Sequence, residues 1–208
     1  MSDVSSSGDG GREVDLPVGI GRHTSTLLVG DAYDRTVRDV CNSLLNLEDD
    51  RPVRVVPVTF HHSSAEVVER WRAVNGPLPE EMVVIVVSES QTWSSGRDGS
   101  LHDNVDVGYA SPTDITGLGI NIQRALTQDR TRTVVCFDDL TNLLMYVDDQ
   151  IVFRFIRALG GNILAADGTI HYHLDPSAHD RQVRNTFRTA VDAVVEIDDD
   201  GEVKLLER

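Results

Sequence analysis

Short apolar runs alternate with amphipathic segments along most of this chain. Runs rich in Val, Ile and Leu predict strands, and apolar residues that recur every three or four positions predict helices. The predicted strands are residues 24–29, 54–60, 82–87 and 133–137, and residues 162–166 and 169–174 predict one or two further strands. The predicted helices are residues 35–47, 65–74, 114–126, 142–159 and 180–189. This alternation indicates an α/β fold in which a mainly parallel sheet lies between two helical layers.

The two ends of the chain differ from this central pattern. Residues 1–21 are polar and rich in glycine, so we expect a disordered or loosely attached tail, followed by one domain over residues 22–208. Near the other end, residues 193–197 and 202–206 flank an Asp-Asp-Gly turn, which is typical of a β-hairpin. The sequence therefore predicts a three-layer sandwich that closes with a C-terminal β-hairpin.

Proline and glycine predict two local interruptions. Pro57 lacks a backbone N–H, so we expect its strand to lie at a sheet edge or to contain a bulge. Gly160 and Gly161 are expected to end the helix predicted at residues 142–159.

A long polar segment, residues 88–113, shows no clear periodicity and is predicted to be a loop. Loops of this length in compact domains are usually functional or disordered. Trp93 and Tyr109 lie among its polar residues. The segment would therefore be either a partner-binding surface with aromatic anchors or a flexible insertion.

The chain is strongly acidic, with a formal net charge of −15 at pH 7. This charge argues against nucleic acid or an anionic membrane as the main partner, because both attract positive surfaces. Lys204 is the only lysine, and aspartates are abundant. Acid-rich, lysine-poor surfaces resemble those of proteins from salt-loving archaea, in which acidity serves solubility. On this hypothesis the fold should lose stability at low salt, because the surface charges lose their screening.

The sequence contains no segment that predicts insertion into a membrane. No stretch approaches the ~20 consecutive apolar residues that cross a bilayer, and residues 1–11 lack the apolar core of a signal peptide. Cys41 and Cys136 both lie within apolar patterns, so we interpret them as core residues rather than as a disulfide. Together these features predict a cytoplasmic protein.

Two adjacent carboxylates, Asp138 and Asp139, follow the strand predicted at residues 133–137. Acids at the end of a buried parallel strand can hold Mg²⁺ beside a nucleotide, directly or through water. The same pair can instead be the cap and first-turn acid of the helix that follows. Both interpretations are open from the sequence.

The turn that precedes the first predicted helix lies where a nucleotide-hydrolysing protein carries its phosphate-binding loop. Such a loop reads GxxxxGK followed by Ser or Thr. Here Gly30 supplies the first glycine and Arg35-Thr36 the end, but the second glycine is missing and the turn is one residue short. Asp31 and Asp34 place negative charge where phosphates would bind. Since the single lysine lies near the C-terminal end, the chain contains no intact loop of this kind.

With these elements in this order, residues 24–208 resemble the KaiC-like branch of the RecA ATPase superfamily. The segment around His61 and His62 is similar to the family's second strand and helix, where a Phe-Glu-Glu-Ser sequence supplies the glutamate that activates water. The two histidines stand in the positions of those acids. Residues 133–144 are similar to the family's Walker B strand, with Asp138 at the acid position.

The resemblance continues to the end of the chain. Residues 193–206 are similar to the family's closing hairpin, and Lys204 lies near the position of a lysine that reaches a neighbouring subunit in relatives. Residues 111–120 are similar to a group of degenerate haloarchaeal KaiC-like proteins of unassigned function. The resemblance implies a RecA/KaiC-like sandwich that self-associates through sheet-edge and hairpin surfaces.

The functional implication of the resemblance depends on what is missing. Loss of the loop lysine and loss of the glutamate base would each cost orders of magnitude in hydrolysis. The resemblance therefore implies a pseudo-ATPase with no catalytic residues and no required cofactor, which acts as a regulatory or assembly protein through protein contacts. The alternative is a weak nucleotide-binding or slow ATP-hydrolysing switch, in which the vestigial residues Gly30, Arg35, Thr36 and Asp138 would bind ATP and Mg²⁺.

Histidines offer one further candidate chemistry. His171 and His173 are two residues apart on a predicted strand, so they share one face and could hold a metal, with Asp175 and His179 as further ligands. No signature of a fourth ligand accompanies them, and surface histidines are the simpler interpretation.

Overall fold

The computed structural model describes residues 17, 19–31, 33–45, 52–89, 95–96, 102–126, 131–198 and 200–207. Nine strands occur within these ranges: β1 Ser25–Val29, β2 Val53–Thr59, β3 Glu81–Val87, β4 Ser95–Gly96, β5 Val105–Ala110, β6 Arg132–Phe137, β7 Thr169–Leu174, β8 Ala193–Ile197 and β9 Val203–Glu207. Six α-helices accompany them: α1 Arg35–Leu45, α2 Ser64–Asn75, α3 Ile115–Ala125, α4 Leu140–Tyr146, α5 Asp149–Ala165 and α6 Arg181–Arg188. A 3₁₀ turn at Ile20–Arg22 precedes β1.

The nine strands form one sheet in the order β4-β5-β3-β2-β6-β7-β1-β8-β9. The seven inner strands are parallel, and the pairs at the two ends, β4–β5 and β8–β9, are antiparallel. The predicted α/β sandwich, mainly parallel with a C-terminal β-hairpin, is confirmed. In the described part of the chain no helix is long and apolar enough to cross a membrane.

Helices cover both faces of the sheet, because its inner strands are apolar on both sides. Helices α3, α4, α5 and α6 bury their apolar faces in one large core against the sheet. Helices α1 and α2 pack on the opposite face in two smaller clusters. Alternate residues of β7 divide between these faces: Tyr172 lies in the large core, whereas His171 and His173 face the side of α1.

The parallel arrangement places the carboxyl ends of seven strands along one edge of the sheet. The segments that leave this edge include the turn after β1, the histidines after β2 and the two carboxylates after β6. Strand β7 lies between β1 and β6, with Leu28 opposite His173 and Cys136 opposite His171. The fold therefore brings the sequence-predicted residues to one side of the molecule. This is the edge at which ligands of open parallel sheets usually bind.

The helix predicted at residues 142–159 is wrong at both ends. Two helices occupy this region, α4 and α5, and Asp148 caps the second by accepting the N–H of Gln150 at 2.9 Å. Helix α5 continues through Gly160 and Gly161, so the strand predicted at 162–166 does not form. The glycines are tolerated because Ile163, one turn further on, is fully buried and anchors the last turn.

Three other predictions need correction. Residues 105–110 of the predicted loop form β5, while Trp93 lies outside the described residues and Tyr109 is half-buried on β5. Pro57 lies in a central strand, and the pairing of β2 with β3 is interrupted beside it. The predicted tail falls mostly outside the described residues, but Ile20 is buried against α1 and the hairpin, so the folded part begins before residue 22.

Truncating the anchor of α5 should destabilise the whole domain. We expect Ile163→Ala to lower the free energy of unfolding by about 2–5 kcal/mol, because the fully buried side chain would leave a cavity. The adjacent Leu164 is 65% exposed, and Leu164→Ala should change stability by less than about 0.5 kcal/mol. Urea unfolding of the two variants in the same high-salt buffer checks this, and equal effects would mean that α5 ends at its glycines.

Candidate functional site

The turn between β1 and α1 is held together by its own carboxylates. Asp31 accepts the backbone N–H of Tyr33 at 2.8 Å, and Asp34 accepts that of Thr36 at 2.6 Å. A Cβ atom at Gly30 would lie 2.5 Å from a valine methyl group of α1, so this glycine allows helix and strand to pack closely. Amides at the start of a helix are natural phosphate donors. Here a carboxylate of the same turn engages one of them.

Two of the four residues that the sequence predicts as a vestigial nucleotide site meet at one cleft. Arg35 and Asp138 both line a cleft of about 500 Å³ between α1 and α2, whereas Gly30 and Thr36 do not line it. Arg35 pairs with Asp39 on the next turn of its helix, with Nε 3.7 Å from Oδ2. Asp138 accepts the hydroxyl of Thr59 at 3.3 Å. The sheet therefore gathers only part of the sequence-predicted set.

Asp139 acts as a helix cap. Its side chain accepts the backbone N–H of Asn142 at 2.7 Å at the start of α4, and its other oxygen lies 2.7 Å from Nε2 of His61. The neighbouring His62 instead contacts Arg70 on α2. The two adjacent histidines thus have different partners, and the residue beside Asp138 has its oxygens engaged in local structure.

A cluster of sulfur and nitrogen ligands lies deeper between α1 and the sheet. Cys41 comes from α1, Cys136 from β6, and His171 and His173 from β7. The Sγ atoms are 3.7 Å apart, Nε2 of His171 lies 3.3 Å from Sγ of Cys41, and Nε2 of His173 lies 3.7 Å from Sγ of Cys136. Both cysteines are free thiols. Among the described residues, no other group of three or more His, Cys, Asp or Glu side chains converges in this way.

The surroundings of the cluster shift the pKa values of Cys41, Cys136 and His173. A hydrogen bond from Cys136, together with the positive charge of the two imidazoles, holds the pKa of the Cys41 thiol well below its usual value in spite of burial. The same hydrogen bond and burial raise the pKa of Cys136. Burial is the largest single influence on His173 and works to lower its pKa. The charge of Cys41, its hydrogen bond and the charges of Asp138 and Asp139 together outweigh burial, so the pKa rises. Cys41 is therefore the more acidic thiol of the two.

The sequence indicated half of this cluster. His171 and His173 do share one strand face, as their spacing predicts, but the further ligands proposed for them lie elsewhere. Asp175 accepts the N–H and hydroxyl of Ser177 in its own turn, and His179 contacts the hydroxyl of Thr141 at 3.1 Å. The two cysteines, interpreted from the sequence as core residues, take their places. Their apolar sequence neighbours gave no sign of this position beside the histidines, because a cysteine in such a pattern is usually a small core residue.

Removing the cap of α4 separates the two interpretations of the paired carboxylates. We expect Asp139→Ala to lower the free energy of unfolding by about 0.5–2 kcal/mol. Asp139→Asn should keep most of the wild-type stability, because asparagine also caps helices. Urea unfolding with and without Mg²⁺ is the measurement. A stabilisation by Mg²⁺ that Asp139→Asn abolishes would instead identify the residue as a metal ligand.

The lowered pKa of Cys41 predicts an unusual pH profile for its alkylation. In metal-free protein we expect iodoacetamide to modify Cys41 well below the usual cysteine pKa of about 8.5, and before Cys136, because the thiolate is the nucleophile. Cys136→Ala removes the largest cause of the shift and should move the profile of Cys41 to higher pH. Mass spectrometry of the modified peptides gives both rates, and equal profiles for the two thiols would contradict the assignment.

Comparisons with known proteins agree with the fold and leave the chemistry open. No curated protein matches the sequence. A solved structure described as "Structural study of Project ID PH0250 from Pyrococcus horikoshii OT3" is similar over 88% of this chain and 85% of that chain, with a TM-score of 0.54 and 10% sequence identity. At this identity the likeness shows the fold alone. A family model matches residues 24–197, and the chain therefore belongs to the family described as "Family of unknown function (DUF7504)".

Proposed function

We propose that this protein is a non-catalytic RecA/KaiC-like pseudo-ATPase that acts as a regulatory or assembly protein through protein contacts. The observation that carries the proposal lies in the turn between β1 and α1, which we call the occupied turn because its own carboxylate already accepts a backbone N–H. The carboxylate of Asp34 accepts the N–H of Thr36 at 2.6 Å, at the start of α1. A phosphate in this turn would have to displace that carboxylate and approach Asp31 beside it. Without that displacement the phosphate would lack one backbone N–H donor, and the carboxylates would repel its negative charge.

The proposed loss of catalysis is also consistent with the site after β2. His61, which stands in the position of a family glutamate, contacts Asp139 and the side-chain amide of Asn142 at 2.9 Å. An imidazole engaged in this way supports the start of α4. It offers no carboxylate to activate water, which is the role that the family's glutamate has.

The exposed edge of the hairpin supports a role in protein contacts. Among the described strands β9 ends the sheet and pairs only with β8, so none of them pairs with the other side of its backbone. Leu206 is 45% exposed on this strand. A five-residue edge strand with an exposed leucine is a surface on which a second chain can extend the sheet. Lys204 lies on the same strand, and its ammonium pairs with Asp198 and Glu202 within the hairpin.

The second candidate function, a weak nucleotide-binding switch, is favoured by the cleft between α1 and α2. Arg35, Arg38 and Arg70 line it, against two carboxylates, Asp39 and Asp138. Its volume of about 500 Å³ falls within the usual range of small-ligand sites. Three guanidinium groups gathered in a chain of net charge −15 are a favourable place for an anion.

Calorimetric titration with ATP and Mg-ATP distinguishes the two candidates. For a pseudo-ATPase we expect no saturable binding below about 1 mM, which corresponds to about −4 kcal/mol, and no hydrolysis above that of the Asp138→Ala variant. Saturable binding that is lost in Asp138→Ala or Arg70→Gln would instead support the switch. Arg188→Gln is the matched control, because that arginine pairs with Glu196 and does not line the cleft.

The edge of β9 should mediate self-association. We expect sedimentation velocity to show species larger than the 22.9 kDa monomer at micromolar protein. In Leu206→Lys these species should appear only at a protein concentration at least about tenfold higher, because an edge charge opposes strand pairing. Val74→Lys is the control, since Val74 is 61% exposed on α2. A monomer at every concentration, or equal effects of both variants, would remove β9 as the interface.

A further inference from the structure

Four side chains from three separate elements converge on one point between α1 and the sheet. Cys41 lies two turns into α1, Cys136 lies near the end of β6, and His171 and His173 alternate along β7. We infer that these four residues form a binding site for one Zn²⁺ ion. Two thiolates and two imidazoles are the Cys₂His₂ ligand set of structural zinc sites.

Three of the six distances between ligand atoms of the cluster are close to those of a tetrahedral site. With Zn–S about 2.3 Å and Zn–N about 2.0 Å, the corners of a tetrahedron lie about 3.8 Å apart for two sulfurs and about 3.5 Å apart for sulfur and nitrogen. The measured values are 3.7 Å between the sulfurs of Cys41 and Cys136, and 3.3 and 3.7 Å between sulfur and nitrogen. All four ligand atoms lie within 4.8 Å of one another, so small side-chain rotations would complete the site.

Charge balance also favours a divalent cation at this place. The cluster lies inside the fold, with Cys136 and His171 buried and the other two half-buried. Two thiolates cancel the charge of Zn²⁺, and two neutral imidazoles add none, so the complex is neutral and avoids the cost of a buried net charge. Binding would release to solvent the proton of each protonated thiol and the extra proton of any imidazolium, and no oxidant is required.

The cleft between α1 and α2 gives an ion its path to the site. Cys41, Cys136 and His173 all line this cleft, whereas His171 is only 3% exposed and lies beneath. With four protein ligands the coordination is closed, which is typical of a structural rather than a catalytic zinc. The ion would connect α1 to the two strands below it and so fix the helix on the sheet.

Cobalt(II) titration of reduced, metal-free protein tests the inference. We expect one Co²⁺ per chain, with the intense visible bands of tetrahedral cobalt and a thiolate charge-transfer band, displaced stoichiometrically by Zn²⁺ with a Kd below about 1 µM. Zn²⁺ should also raise the melting temperature and protect both thiols from alkylation. An octahedral cobalt spectrum, or no saturable binding by the folded wild-type chain, would overturn the site whatever the variants do.

Variants assign the ligands. Cys41→Ala and His171→Asn should each weaken binding by at least about a hundredfold, more than the ten- to hundredfold loss typical of residues that only support ligands. His179→Asn is the matched control, because that histidine follows the same strand but contacts Thr141 instead. Circular dichroism establishes that each variant is folded. Retained affinity in folded Cys41→Ala, or an equal loss in the control, would contradict the assignment.

Discussion

The placement of β7 between β1 and β6 is the constraint on which the rest of the structure depends. A parallel strand with helices on both faces is buried twice, so it is expected to be apolar throughout. On one face β7 meets this expectation, with Ile170, Tyr172 and Leu174 in the large core. On the other face it presents two imidazoles, whose polar atoms need partners when they are buried. Cys41 and Cys136 provide those partners.

The start of α1 is held in place by residues of its own turn. The strand, turn and helix keep their geometry because Gly30 allows close packing and Asp34 satisfies an amide at the start of α1. A bound phosphate would supply the same hydrogen bond from outside the chain. Because a carboxylate of the turn already satisfies this amide, the element needs no bound anion to hold its geometry.

The sequence predicted the layers of the fold better than its site. Strand and helix periods are local, so β1, β6, α3 and the hairpin were predicted closely. Helix α5 continues beyond its two glycines, because the burial of Ile163 outweighs their low helix propensity. The cluster depends on contacts across 95 and 130 positions of sequence, from Cys41 to Cys136 and to His171. No spacing rule covers such distances, since only the strand order brings β6 and β7 under α1.

The occupied turn and the Cys/His cluster act on the same helix. Asp34 holds the first turn of α1, and Cys41 lies about two turns further on against the sheet. An anion bound at the turn would contribute to fixing this helix. A zinc ion shared by α1, β6 and β7 would instead hold the helix on the sheet from within the fold. The orientation of α1 would then depend on whether the ion is bound. Without the ion, the two thiols and two imidazoles would be joined by weak S–H hydrogen bonds in place of metal–ligand bonds.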